Sequence, residues 1–352
     1  MSAKKILSLA ASTIKLFIII LLFNCNSKAE EQNIKSYSDD KGILTLMYHR
    51  FDEDKYPSTN IQMSVFKQQI KIIRDLKYSF YNPKDLKKNF HIAKIEKKIL
   101  ITIDDAFSSF YEVAWPYLKE ERIPFILFVS TEAIGKNGYM SWAQIRELEK
   151  ENIAYIGNHS HTHDYLVDLK NSDFIKDIDT ASKIFIKNLG YNPVFFSYPF
   201  GEYSNLIKEH IAKNFKFSFG QHSGVIDVNK DQYELPRFPI NEKYGDLKRF
   251  QFLINLQPLQ YKALFPEEKY LIENNPPNFS VKFFDEQKNL NNINCFSDEG
   301  NKWKKSNINF DKNILYINFS EKFSFRRGRI NCSLNDNGTW RWFGVQFSVK
   351  QN

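Results

Sequence analysis

Ile99-Leu100-Ile101-Thr102-Ile103 followed by Asp104-Asp105 is the stretch on which the fold is decided. The five-residue apolar and β-branched run reads as a buried strand. Two adjacent carboxylates stand directly at its end. Outward from it, Ile43-Leu44-Thr45-Leu46-Met47-Tyr48 reads as another buried strand, followed by Phe66, Ile70, Ile73 and Leu76 at helical spacing. Further strands are expected at 124–129, 153–156 and 194–198, with helical patterns at 107–120, 141–151, 173–189 and 205–213. Strands alternating with helices imply parallel βα units, as a barrel or a doubly wound sheet. In both, polar residues beyond a strand's C-terminal end are where chemistry sits.

Two such groups stand out. Asp104 and Asp105 cannot both be buried charges cheaply, because like charges repel and desolvation is costly. A metal bound by one relieves that cost and leaves the other as a base; the plainer alternative is an exposed acidic turn. His159-Ser160-His161-Thr162-His163 follows the strand around Ile153–Ile156. One helical turn would bring His159 and His163, at i and i+4, onto one face, with His161 turned away. Two neutral imidazoles and a carboxylate suit a divalent, zinc-like ion and leave coordination positions open for water and substrate.

Together with Tyr198-Pro199-Phe200-Gly201, these motifs resemble the first three motifs of the NodB-type polysaccharide deacetylases, carbohydrate esterase family 4. The likeness runs over roughly 43–250 and includes Leu46-Met47-Tyr48-His49 and Ser141-Trp142. The Tyr48-His49 opening is most similar to the permuted subgroup acting on exported poly-N-acetylglucosamine. The resemblance implies an α/β fold, a distorted (β/α) barrel of the polysaccharide deacetylase type. It implies that Asp105, His159 and His163 bind a divalent metal, zinc first, and that Asp104 is the general base for the attacking water. It further implies that the backbone N–H around Phe200 holds the oxyanion and that His49 protonates the departing amine. His222 is the rival acid. The expected reaction is hydrolysis of N-acetyl groups on an exported or cell-wall N-acetylhexosamine polysaccharide. An O-acetyl glycan esterase and a non-catalytic glycan-binding protein are the alternatives.

The sequence departs from the family pattern at two places. Ala106 stands where the first motif usually has glycine. Ser197 stands where an arginine usually opens the third motif and steers the catalytic aspartate. Arg237, in Leu235-Pro236-Arg237-Phe238-Pro239, could replace it from a later strand or be an ordinary surface arginine. Tyr56, in a polar loop, is a candidate for the sugar groove, and Trp142, Tyr198 and Phe200 offer flat faces for sugar rings, with core packing the alternative for Trp142.

The chain of 352 residues carries 49 Lys plus Arg against 41 Asp plus Glu, a net charge of +8. Residues 1–29 hold four lysines and no acid, so the remainder carries +4, too little to argue for nucleic acid. Lys4, Lys5 and Lys15 before the run Leu16–Phe23, with Ser27-Lys28-Ala29 after it, read as a signal peptide over 1–29. The rivals are a lipidated Cys25 and an uncleaved anchor; all three export the protein to the periplasm, envelope or medium. In an oxidising compartment, Cys295 and Cys332 are expected to pair. Helical periodicity fades after about 265. The expected organisation is a linker at 30–42, the deacetylase domain at 43–264, a linker at 265–276 and a small all-β domain at 277–352. In that domain Arg326-Arg327-Gly328-Arg329 and Trp340-Arg341-Trp342-Phe343 set cations among aromatics, as a glycan surface or as interdomain packing.

Overall fold

The computed structural model describes residues 42–90 and 98–351. The signal-peptide, cleavage-site and Cys25 readings lie outside the described residues.

Six strands lie side by side, each parallel to the next: β1 (Ile43–Tyr48), β2 (Lys98–Ile103), β3 (Phe125–Val129), β4 (Ala154–Asn158), β5 (Phe195–Ser197) and β6 (Phe217–Phe219). Helices α1 (Met63–Asp75), α2 (Trp115–Glu120), α3 (Trp142–Glu149), α4 (Asn171–Leu189) and α5 (Asn205–Asn214) fill the five crossovers. The helix expected at 107–120 is a π turn, Phe110–Ala114, leading into α2. Pro116 fits at the start of α2, where its missing N–H is not needed.

Successive side chains of a strand point to opposite faces. In β2, Ile99, Ile101 and Ile103 join Leu44, Leu46 and Tyr48 in the core shared with α1 and α2. Leu100 joins Ile43, Ile126, Phe128 and Phe219 on the inner side of the curled sheet. The same alternation sends Thr102 and then Asp104 inward. The seam between β6 and β1 is spanned by residues 235–239: Leu235 bridges Phe219, and Phe238–Pro239 runs parallel to β1 at Leu46 and Met47. That segment closes the distorted barrel and carries Arg237 across its mouth.

Beyond the barrel come two all-β sheets. One holds β7 (Gln257–Pro258), β9 (Tyr270–Leu271), β11 (Ile293–Ser297), β12 (Lys304–Lys305), β15 (Arg327–Asp336) and β16 (Thr339–Val349); the other holds β8 (Tyr261–Phe265), β10 (Phe279–Phe283), β13 (Ile308–Asp311) and β14 (Ile314–Ile317). The chain thus enters these sheets at Gln257, ahead of the 277 boundary. Pro266, Pro276 and Pro277 interrupt the chain between strands without ending the pairing. Ile330, Cys332 and Leu334 of β15 face the core between the sheets, with Phe283, Leu315 and Phe347. Cys295 and Cys332 stand opposite each other on β11 and β15 and are disulfide-bonded. Closing a loop of this length stabilises by roughly 3–4 kcal/mol in the chain-entropy picture.

The face of β16 opposite that core docks on the barrel. Trp342 packs edge-on to Phe238, with ring centroids 6.3 Å apart. Gly344 lies so close to the loop at Ser223 that a Cβ would come within 2.2 Å of its carbonyl oxygen. Only glycine permits that approach.

Candidate active site at the barrel mouth

Asp104 is fully buried, and its N–H donates to the Tyr48 carbonyl at 2.9 Å. Arg237, also fully buried, faces it with both ends of the guanidinium: Nη1 donates to Oδ1 at 2.7 Å and Nη2 to Oδ2 at 2.9 Å. The remaining donors reach Gly220 O (2.9 Å), Thr102 Oγ1 (3.1 Å) and Ser197 Oγ (2.8 Å). A guanidinium has five N–H groups, and five acceptor atoms meet them. Ser197 is therefore not simply a lost arginine. Its small side chain leaves room for a guanidinium arriving from the seam and accepts a hydrogen bond from it. Burial works to raise the Asp104 pKa, but Arg237 first, then His159 and His49, outweigh it and hold the carboxyl at about 2. Asp104 is thus charged at any working pH.

Asp105 reaches the site because the chain turns back on itself. Asp105 and Ala106 both take left-handed backbone angles, φ 73° and 54°. Ala106 stays in the conformation glycine would adopt freely, at a cost of about 1–2 kcal/mol.

The His159–His163 segment is not the helical turn expected. It is a loop in which Ser160 (φ 70°) and His163 (φ 60°) are left-handed. Local side-chain bonds compete successfully with a helix here: the Ser160 N–H donates to Asn158 Oδ1 (2.8 Å) and the His163 N–H to Ser160 Oγ (3.0 Å). Asp177, buried in the middle of α4, accepts from the His161 and Thr162 N–H groups at 2.8 and 3.0 Å and from the Thr162 hydroxyl at 2.7 Å. His161 turns to Thr131, Nδ1 to Oγ1 2.8 Å.

The loop still brings the two imidazoles together. His159 Nδ1 donates to the Ser197 carbonyl at 2.7 Å, which leaves the Nε2 lone pair pointing into the site. His159 Nε2 is buried and has no hydrogen-bond partner. It lies 3.5 Å from Asp105 Oδ1, and His163 Nε2 lies 3.3 Å from the same oxygen. Burial drives the His159 pKa down to about 4, so the ring is a neutral donor near pH 7. An orphaned buried nitrogen beside a second imidazole and a carboxylate is the donor set a divalent ion requires. Asp105, His159 and His163 could hold one, their ligand atoms all lying within 4.8 Å of one another.

His49 Nε2 is 4.0 Å from Asp104 Oδ2, and His159 Nε2 is 3.9 Å from the same atom. His222 lines the same cavity, but burial pushes its pKa down to about 4. Phe200 is left-handed (φ 58°), stacks on Tyr165 at 4.0 Å and meets His163 edge-on at 4.6 Å. The turn's own hydrogen bonds run from Gly201 N–H to Tyr198 O and from Glu202 N–H to Pro199 O, leaving the Phe200 N–H outside that pairing. Gly201 (φ 70°) has no room for a side chain, since a Cβ would fall 2.5 Å from Gln221 N. The carbonyls of Phe200 and Gly201 both accept from Gln346 Nε2 of β16, at 3.0 and 3.2 Å.

His49, Asp104, Asp105, His159, His163, Phe200 and Arg237 form one connected set of contacts at this mouth. Ser58 and Thr59, from the loop that holds Tyr56, line the cavity. Trp142 packs on Phe185 in the helical core, and Tyr198 is fully buried against Tyr203, so neither offers a sugar platform. Asp177, Thr102 and Gln346 were missed. Asp177 gave one signal: it falls beside Phe174, Ile178 and Ala181 on the buried face of α4, where an unpaired carboxylate has no place.

Residues 91–219 match the family model described as polysaccharide deacetylase. A poly-β-1,6-N-acetyl-D-glucosamine N-deacetylase of Staphylococcus aureus is 25% identical over 232 residues, covering 58% of this chain and 80% of the relative. Among solved structures, the Streptococcus pyogenes deacetylase PplD in complex with acetate aligns over 61% of this chain and 99% of its own, at 20% identity and a TM-score of 0.56. IcaB from Ammonifex degensii aligns over 62% and 99%, at 23% identity and a TM-score of 0.54.

Proposed function

We propose, from the premise that this chain carries a polysaccharide deacetylase domain, that it hydrolyses N-acetyl groups of an exported or cell-wall N-acetylhexosamine polysaccharide. The observation that carries the reading is the pairing, at one barrel mouth, of the Asp105–His159–His163 donor set with the buried, arginine-held carboxylate of Asp104. The targeting segment and the polymer named for the staphylococcal relative support export.

Asp105, His159 and His163 would hold a divalent ion, zinc in the first instance, which supplies Lewis-acid activation of water and of the amide carbonyl. Oδ2 of Asp104 takes the proton of the attacking water. Its low pKa makes it always available but a weak acceptor, so the proton has reason to move on. His49, 4.0 Å from that oxygen, is placed to receive it and to deliver it to the departing nitrogen. The new C–O bond and the broken C–N bond leave acetate and a free amine. The Phe200 ring meets His163 edge-on, and the Phe200 N–H, outside the turn's own pairing, is the candidate donor to the carbonyl oxygen, where negative charge would develop. Arg237 positions Asp104 and keeps it ionised. His222, its pKa lowered by desolvation, is the weaker candidate for the acid.

The test is acetate release from soluble poly-N-acetylglucosamine, with and without a chelator. Asp104→Asn should lower turnover at least 100-fold, within the range expected for a general base. Chelation should abolish it and added zinc restore it. Unchanged turnover in Asp104→Asn would remove Asp104 from the role given to it.

A further inference from the structure

The cavity at the barrel mouth, about 620 Å³, has a second wall that the deacetylase domain does not supply. Trp303, Arg327, Arg329, Asn331, Trp342 and Gln346 of the C-terminal sheets line it together with His49, Asp105 and His163. The strand period explains why. On β15 the even-numbered residues Gly328, Ile330 and Cys332 point into the β core, so Arg327, Arg329 and Asn331 share the outer face. That face looks into the cavity. Arg326, just ahead of β15, pairs with Glu202 and Asp168 and lies 3.5 Å over the Tyr165 ring. The run Arg326–Arg329 thus divides its work: Arg326 packs the sheets to the barrel, and Arg327 and Arg329 face the cleft.

These groups are unevenly engaged. Arg329 donates to Asp298 at 2.7 Å and lies 5.3 Å over the Trp303 ring. Arg327 is exposed, and no hydrogen bond or ion pair engages its guanidinium among the described residues. Trp303 is 44% exposed. Arg249, from the barrel side, adds a third guanidinium, while Asp105 is the single carboxylate among the lining residues. A flat indole face beside hydrogen-bond donors suits a pyranose ring, which presents C–H groups on its face and hydroxyls on its edge.

We propose that Trp303, Arg327, Arg329 and Asn331 form a glycan subsite flanking the reacting sugar, one that accepts acetylated or acidic sugar residues and rejects those already deacetylated. The inference rests on the deacetylase reading and deepens it. An N-acetyl group is neutral and its carbonyl accepts a hydrogen bond from a guanidinium. The free amine left by hydrolysis is an ammonium near neutral pH and is repelled within a Debye length of about 10 Å at 0.1 M salt. The wall therefore makes the enzyme sensitive to the state of the neighbouring sugar and works against deacetylation of consecutive residues.

Binding of the full chain to soluble poly-N-acetylglucosamine and to its fully deacetylated form, measured by calorimetry, tests this. The wild type should hold the acetylated polymer at least fivefold more tightly. In Trp303→Ala/Arg327→Glu that ratio should fall to within twofold, while Arg327→Lys should keep it. Both positions are exposed, so folding is checked by an unchanged melting temperature. A ratio unmoved in the double variant overturns the subsite, as does a wild type that binds both polymers equally. Acetate release from the same preparations separates the two readings. Turnover with an unmoved ratio refutes the subsite alone. No turnover refutes the deacetylase reading, and the binding ratio still decides the subsite.

Discussion

Arg237 sits in the barrel against Asp104, and Arg327 lines the cavity from the C-terminal sheets. Arg237 is fully buried, and its five N–H groups meet five fixed acceptors on β2, β5 and the loop at Gly220. Arg327 is exposed on β15 and hydrogen-bonds to none of the described residues through its side chain. The first arrangement admits one geometry; the second can follow a flexible polymer. A hydrolytic centre needs atoms held to a fraction of an ångström, because a small misplacement costs orders of magnitude in rate. A polymer track needs the reverse, since successive sugars must enter and leave.

That contrast can be broken most severely at Arg237. Arg237→Met leaves Asp104 buried with no cation, which should destabilise the fold by about 3–5 kcal/mol and leave little activity. Denaturant unfolding and acetate release measure both. Arg237→Lys keeps the charge but not the fork, and should retain most of the stability with a much lower turnover. Equal losses in the two variants would mean that the fork geometry decides and the charge alone does not suffice. Asp177→Asn strikes the fixed wall one step further out. It weakens the acceptor that ties down the His161–Thr162 backbone, and zinc affinity should fall about 10–100-fold with modest change in melting temperature. Gln346→Ala tests whether the far wall also braces the Phe200 turn. It removes the hydrogen bonds to the Phe200 and Gly201 carbonyls, at about 1 kcal/mol of stability, and should lower turnover severalfold. Ala106→Gly has the smallest effect, a gain of up to about 1 kcal/mol seen as a slightly raised melting temperature, by relieving a left-handed alanine.

The strands of the barrel were legible because their apolar runs alternate with amphipathic stretches. The clustering of Asp104, Asp105 and the histidines was legible because both groups directly follow barrel strands, whose C-terminal ends come together at one mouth. The loop form of 159–163 was not, since spacing i, i+4 cannot distinguish a helical turn from a turn capped by Asn158, Ser160 and Asp177. The arginine of the site could be named from the sequence only as an alternative. Its placement depends on how 235–239 spans the seam, a non-local pairing that no local pattern encodes. The second wall was hidden for a related reason. The run Arg326–Arg329 advertises cations, but nothing in it tells that Arg326, ahead of the strand, packs on the barrel while Arg327 and Arg329, on β15, turn to the cavity.

The seam has a consequence for the order in which the molecule becomes competent. Asp104 lies just past the second barrel strand, while the cation that keeps it ionised arrives more than a hundred residues later, on the segment that closes the sheet. A chain still emerging from synthesis holds the carboxylate and the histidines but not their partner. The centre is therefore complete only once the segment that closes the barrel is in place.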